Sequence, residues 1–222
     1  DVYKRQPSQE QKSHATQRTK SIDSRFRLIR LHAKGGLGQV YVAVDEDFGR
    51  EVALKEIQEK FAFDSESRDR FLLEAEVTSK LEHPGIIPVY GMGQYPDGRP
   101  YYAMRFVRGD SLKEAIERFH KTSNVKFHSL EFRQLLGRFI DVCQAIGYAH
   151  SRGVLHRDLK PGNIMLGEHG ETLVVDWGLA RSPSVRKEIE SRTKATQTDT
   201  NSSSTPTIFG TVIGTPAFMP PE

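Results

Sequence analysis

His156 to Asn163 reads HRDLKPGN, and Asp176-Trp177-Gly178 follows shortly after it. Within this span Asp158 can accept a proton and Lys160 can steady negative charge, while Asn163 and Asp176 can offer two oxygen ligands to a hard divalent cation. That inventory suits phosphoryl transfer, in which a protein positions groups and neutralises charge more than it makes bonds. Segments upstream are then expected to hold a nucleotide, and segments downstream an acceptor.

The elements that must position these groups can be read from periodicity. Phe26, Leu28 and Leu31, then Val40, Val42 and Val44, then Val52 and Leu54, mark three short antiparallel strands. Between the first two lies the turn Gly35-Gly36-Leu37-Gly38; Asp45 to Gly49 forms the second turn. A glycine turn between strands is ordinary hairpin chemistry, yet its small residues also let backbone N–H groups approach phosphates. A dinucleotide-binding fold would place such a loop between a strand and a helix, so that reading is excluded.

VALK ends at Lys55, and Asp64-Ser65 opens a helix over residues 65–81 with Phe71, Ala75, Thr78 and Leu81 at helical spacing. His83-Pro84 stops it. Ile86 to Tyr90 and Tyr101 to Phe106 read as two more strands around a Pro-Asp-Gly turn, completing a five-stranded antiparallel sheet with one helix. Asp110-Ser111 with Glu114 forms a capping box before Leu112, Ala115, Ile116 and Phe119. A longer helix from Ser129 to Ser151 is expected to bury Leu135, Leu136, Phe139, Ile140, Cys143 and Ile146. Short strands follow at Ile164–Leu166 and Leu173–Val175.

With 222 residues, 36% of them hydrophobic, the chain can hold one domain or a small pair. The net charge is +3 and the basic residues are spread along the chain, so no nucleic-acid partner is expected. One cysteine, Cys143, allows no intrachain disulfide, suits a reducing compartment and reads as a small core residue. No apolar run approaches the ~20 residues of a membrane-spanning helix. Residues 1–24 carry almost no apolar side chains and are expected to be a disordered lead-in. Asp1 and Glu222 read as the ends of a piece cut from a longer chain.

Taken together, VALK, HRDLKPGN, DWG and GTPAFMPPE resemble the motif set of the eukaryotic-type serine/threonine protein kinases over residues 26–222, in wording closer to bacterial members. The resemblance implies an α+β, two-lobed fold. Its N-terminal lobe and hinge would span 25–107, and an incomplete, mainly helical C-terminal lobe 108–222 would include an activation segment over 176–222. It further implies that Asp158 takes the acceptor's proton, Lys160 steadies the γ-phosphate, and Asn163 and Asp176 hold Mg²⁺. Lys55 would reach the α- and β-phosphates of ATP and pair with Glu74 of the following helix. Glu74 and Glu76 project about 200° apart, so only one can face Lys55, and Glu74 shares a flank with Phe71 and Ala75.

By the same resemblance Ala33, Gly35, Gly36 and Gly38 form the phosphate loop, with Ala33 where a glycine is usual. Val40 and Ala53 roof the adenine and Met165 floors it. Met104 is the gatekeeper, followed by Arg105, Phe106 and Val107 as the hinge whose main chain binds adenine. His156 is a packing residue, and Thr215 bonds Asp158 and Lys160. Other departures are Arg105 for an acidic residue, Trp177 for Phe, and Pro220 for Ala.

The implied function is ATP-dependent phosphorylation of serine or threonine on a protein substrate. Gly162, just before Asn163, argues against a strictly basophilic choice of that substrate. Autophosphorylation at Thr205, Thr207 or Thr211 would activate the enzyme through Arg157, with self-association as the route. A cytoplasmic location, with membrane tethering only through a segment further downstream, would fit. The alternatives are a nucleotide-binding pseudokinase or scaffold, and an inactive piece of an active kinase.

Overall fold

Residues that alternate between apolar and polar between Phe26 and Arg105 build an antiparallel sheet with one helix laid on it. The computed structural model of the chain describes residues 21–22, 25–121, 127–178 and 215–219. The strands are β1 (Ser21–Ile22), β2 (Phe26–Lys34), β3 (Gly38–Asp45), β4 (Arg50–Ile57), β5 (Val89–Gln94) and β6 (Pro100–Arg105), in the spatial order β1-β2-β3-β4-β6-β5. Successive side chains of β4 point to opposite faces. Val52 and Leu54 join Phe26, Ala43, Tyr95, Tyr101 and Ala103 on one side. Ile57 packs with Ala62, Phe71, Ala75 and Tyr102 on the other, and Lys55 shares its parity.

Helix α1 (Ser65–Ser79) begins where the Asp64 side chain accepts from the Ser67 N–H at 2.8 Å, satisfying an otherwise unpaired donor of the first turn. Phe71, Glu74, Ala75, Val77 and Thr78 form its buried face. The capping box is present: Ser111 N–H donates to Glu114 Oε2 at 2.8 Å and Glu114 N–H to Ser111 Oγ at 3.2 Å. It opens α2 (Leu112–Lys121), and Ser129 caps α3 (Leu130–Ser151). A small sheet of β7 (Gly109–Ser111), β8 (Ile164–Gly167) and β9 (Thr172–Val174) lies beside them.

The two halves meet through the segment after α1. Val174 N–H donates to Gly85 O at 2.9 Å, and Ile87 N–H to Val174 O at 3.2 Å. One apolar cluster spans this junction: Val77, Leu81 and Ile86 from the first half, and Val142, Ala145, Ala149, Ile164, Val174 and Trp177 from the second. Each large side chain buried there contributes about 1.5–3 kcal/mol. The strand that delivers Asp176 is therefore anchored to the lobe that carries Lys55.

Four sequence expectations are corrected. Ser21–Ile22, placed in the lead-in, pair with Arg27 and Phe26 as an edge strand, so the five expected strands gain a sixth; residues 1–20 lie outside the described residues. Leu31 is half exposed because register shifts in β2 break the simple alternation. The fourth strand of the expected five begins at Val89 and runs to Gln94, because Ile86 is taken by a parallel bridge to Val174.

On α3 the buried stripe is Val142, Ala145 and Ala149, whose small size permits close packing. Leu135 and Ile146 are partly buried against that core, whereas Leu136, Phe139, Ile140 and Cys143 are exposed. The apolar residues of α3 cover more of its circumference than the described elements cover.

Candidate active site

Lys55 sits mid-strand in β4, opposite Tyr102 of β6, where the pleat turns its side chain toward α1. Its Nζ donates to Glu74 Oε1 at 2.5 Å and lies 3.5 Å from Asp176 Oδ1. Tyr102 Oη donates to the same Glu74 oxygen at 2.8 Å. Burial alone would push the ammonium toward neutrality, but Tyr102, Glu74 and Asp176 outweigh it and hold the Lys55 pKa well above the ordinary lysine value. The site therefore keeps a fixed cation. Glu76 points elsewhere and pairs with Lys80.

Gly178 leaves room for this convergence. A Cβ there would stand 3.1 Å from Glu74 Oε2 and 3.4 Å from Asp176 Oδ1. Asp176 itself adopts a left-handed backbone, φ 64°, as does Arg157 at φ 66°. Non-glycine residues in that region are uncommon and concentrate where surrounding structure holds them for a purpose.

The second half of the site is a ring of hydrogen bonds around Asp158. Lys160 Nζ donates to Asp158 Oδ2 at 2.7 Å and to Thr215 Oγ1 at 3.0 Å, while Thr215 Oγ1 donates to Asp158 Oδ1 at 2.6 Å. Asn163 Nδ2 donates to Asp158 O at 2.9 Å and reaches Oδ2 at 3.3 Å. Burial raises the Asp158 pKa, but the bonds from Lys160, Thr215 and Asn163 more than offset it and hold the carboxyl below its usual range. Asp158 is thus an ionised acceptor at neutral pH.

The β8–β9 hairpin aligns the two metal-ligand candidates. Val175 N–H donates to Asn163 O at 2.9 Å, placing Asp176 one residue from that contact. With the Asn163 amide nitrogen engaged, its carbonyl oxygen remains as a ligand, and the half-exposed Asp176 carboxylate faces the cleft. Among the described residues no group of three or more His, Cys, Asp or Glu could cage a metal. A cation that keeps several waters and shares phosphate oxygens needs only one or two protein ligands, so this pair fits Mg²⁺.

His156 is buried beneath the ring, 4.6 Å from the Trp177 ring centroid. Asp158 N–H donates to its Nδ1 at 3.3 Å, and Nε2 lies 3.1 Å from Val175 O. An accepting Nδ1 requires the hydrogen on Nε2, so the imidazole is neutral and structural, and burial lowers its pKa. Trp177 is also buried, and among the described residues its Nε1 has no hydrogen-bond partner.

Above Lys55, the turn between β2 and β3 closes tightly: Gly35 N–H donates to Gly38 O at 2.9 Å. A Cβ on Gly38 would meet Glu56 O at 3.0 Å and Lys55 Cε at 3.1 Å, so a larger residue would press against the Lys55 stem on which this loop rests. Ala33 pairs with Val40 across the turn, and Ala53 is buried beside Met104 in the β4–β6 ladder. Val40, Met104, Phe106, Val107 and Met165 are all half-buried, which leaves apolar surface at the cleft. Arg105 is paired to Glu171 and Arg108 to Glu51, ion pairs on either side of Phe106 and Val107. Thr205, Thr207, Thr211 and Pro220–Glu222 lie outside the described residues.

A cation held by a helix glutamate, an asparagine–aspartate pair and a lysine-supported carboxylate, under a glycine turn, is one constellation in one cleft. The family model described as the protein kinase domain matches residues 27–222. The chain belongs to the protein kinase domain family.

The kinase domain is 40% identical over 202 residues to the serine/threonine-protein kinase PknD of Protochlamydia amoebophila, covering 89% of this chain and 20% of that protein. It is 41% identical over 207 residues to PknD of Chlamydia trachomatis serovar L2b, covering 89% and 22%. To PknD of Chlamydia felis it is 37% identical over 203 residues, covering 89% and 21%. The chain thus spans about a fifth of the length of these curated relatives. They agree with the bacterial cast of the motifs.

Two residues of the kinase domain's cleft escaped sequence reasoning. Tyr102 completes the Lys55–Glu74 contact; its parity with Met104 along β6 was the available signal. Gln58, which touches the glycine turn, carries no signal at all, because its partners are backbone carbonyls.

Proposed function

We propose that this domain transfers the γ-phosphoryl group of ATP to serine or threonine hydroxyls of a protein substrate. The observation that carries this reading is Lys55: one buried ammonium bonded to Glu74 and facing Asp176 joins both lobes at a single cleft. Adenine would lie between Val40 and Ala53 above and Met165 below, bonded by the main chain of the hinge, with Met104 behind it. Lys55 would neutralise the α- and β-phosphates beneath the glycine turn. Mg²⁺ held by Asn163 and Asp176 supplies further charge neutralisation for the phosphates.

The acceptor hydroxyl is oriented by Asp158, which is ionised and already receives hydrogen bonds from Thr215 and Lys160. The hydroxyl oxygen forms its bond to the γ-phosphorus as the bond to the β,γ-bridging oxygen breaks. Asp158 receives the proton and ADP leaves. Lys160, bonded to Asp158 at one oxygen, steadies the phosphoryl oxygens as charge moves.

We further read residues 25–107 as the nucleotide lobe with its hinge, and residues 108–222 as the acceptor lobe. Autophosphorylation of Thr205, Thr207 or Thr211 in a self-associated pair would place phosphate near the exposed Arg157, adjacent to Asp158. Among the described residues no helix is long and apolar enough to cross a membrane. We also propose a cytoplasmic domain tethered by a segment elsewhere in the full-length protein, to be tested by fractionation.

ADP release and phosphate incorporation into a panel of serine and threonine peptides test the activity. Asp158→Asn should lower turnover by about 10²-fold or more, since it removes a general base. Parent protein that binds ATP yet transfers no phosphate would overturn the enzyme reading in favour of a nucleotide-binding scaffold. Phosphopeptide mapping after ATP incubation tests the three threonines.

A further inference from the structure

We infer that Gln58 is a positioning residue that sets the phosphate end of the cleft, by holding the glycine turn through three consecutive carbonyls. This rests on the kinase reading above and extends it to a residue outside the family's motifs. Gln58 follows directly on β4, one step past the final Gly38–Ile57 pair of the β3–β4 ladder, and is 6% exposed. Its Nε2 donates to Gly35 O at 2.6 Å and to Gly36 O at 2.9 Å. Its own backbone N–H donates to Leu37 O at 2.9 Å.

A glutamine amide nitrogen has two hydrogens, and here the two are matched to two carbonyls. The side chain is not spent on capping the short 3-10 turn Glu59–Phe61 that it precedes, since it makes no cap bond there. Every peptide in the turn is trans, so each carbonyl drawn toward Gln58 sends the N–H of the same peptide the opposite way. Holding Gly35 O and Gly36 O therefore fixes the directions of the Gly36 and Leu37 N–H groups. Among the described residues those two N–H groups have no protein acceptor. A glycine turn presenting fixed, unclaimed donors is an anion cradle, and Gln58 is what prevents its peptides from flipping.

The effect should be confined to the phosphates. Val52 at the other end of β4 pairs with Arg105 at the hinge. Gln58 stands six residues further on, about 20 Å along an extended strand, so adenine recognition lies out of its reach.

The test compares ATP–Mg²⁺ and adenosine affinity, measured by calorimetry, in the parent, Gln58→Glu and Gln58→Lys. Gln58→Glu keeps the shape but loses both donors and opposes a carboxylate to two carbonyls. Its ATP affinity should fall about tenfold, the scale of two lost neutral hydrogen bonds, with adenosine affinity within twofold of the parent. Gln58→Lys, which retains donors, should recover part of the loss. Equal weakening toward both ligands would show a general structural defect and overturn the inference, as would no weakening of either. If Gln58→Glu matches a parent that transfers phosphate, the kinase reading stands and the role of Gln58 falls. A parent with no ATP affinity would remove both.

Discussion

Lys55 Nζ stands between Glu74, at 2.5 Å, and Asp176, at 3.5 Å, so a strand, a helix and the turn that follows β9 share one charge. The Glu74 carboxylate is almost wholly buried and the Lys55 side chain nearly so. In such a setting the loss of one partner strands the other.

Glu74→Gln should therefore act twice. Removing one member of a buried pair costs about 3 kcal/mol, to be seen in urea unfolding. Lys55, released toward Asp176, should leave its phosphate position and lower kcat by about 10²-fold. A variant with kcat within threefold of the parent would refute this account of the pair.

Thr215→Val removes the donor to Asp158 Oδ1. Burial raises the Asp158 pKa and its hydrogen bonds lower it, with the lowering dominant, so deleting one bond should move the value upward. The sign for stability follows: a depressed carboxylate pKa stabilises the fold above the unfolded value of 3.8, and this contribution is lost as pH falls through the folded value. Titration of the Asp158 carboxyl by ¹³C NMR in the parent and in Thr215→Val measures the shift; an unchanged or lower value in the variant contradicts the ring as described. At neutral pH Asp158 is ionised in both proteins, so the expected turnover loss, about tenfold, reflects orientation and not protonation.

Buried His156 gives an acid-side dependence of its own. Burial holds its folded pKa below the ordinary histidine value of 6.5, so its contribution is complete above pH 6.5 and is lost as pH falls toward the folded value. His156→Phe keeps a ring against Trp177 but cannot bond Val175 O, costing about 1 kcal/mol at pH 7.5. Urea unfolding at pH 7.5 and 5.5 should show that the parent's advantage over the variant shrinks at the lower pH. A gap that stays constant would mean that His156 does not titrate between folded and unfolded states in this range.

Much of the cleft was legible because its residues sit in short runs with fixed spacing. Lys55 closes the VALK run, HRDLKPGN is contiguous, and the β8–β9 hairpin that joins Asn163 to Val175 is announced by two apolar triplets around a glycine turn. The choice of Glu74 over Glu76 followed from the family resemblance, supported by the helical flank that Glu74 shares with Phe71 and Ala75. The outer face of α3 was misread for a physical reason: periodicity says that Leu136, Phe139, Ile140 and Cys143 share a side, but not whether another element lies over it. Tyr102 and Gln58 were missed because one acts through a neighbouring strand and the other through carbonyls, which leave no mark on side-chain patterns.

Trp177 is the single tryptophan of the chain, and it lies in the turn that presents Asp176, packed on His156. Excited at the red edge of indole absorption, where the seven tyrosines absorb little, the intrinsic emission of this protein therefore comes almost entirely from one turn of the cleft. A spectrum centred at short wavelength reports that turn packed inward, and a red shift reports it swung out into water. The domain thus carries its own optical probe of whether the Asp176 turn is in place.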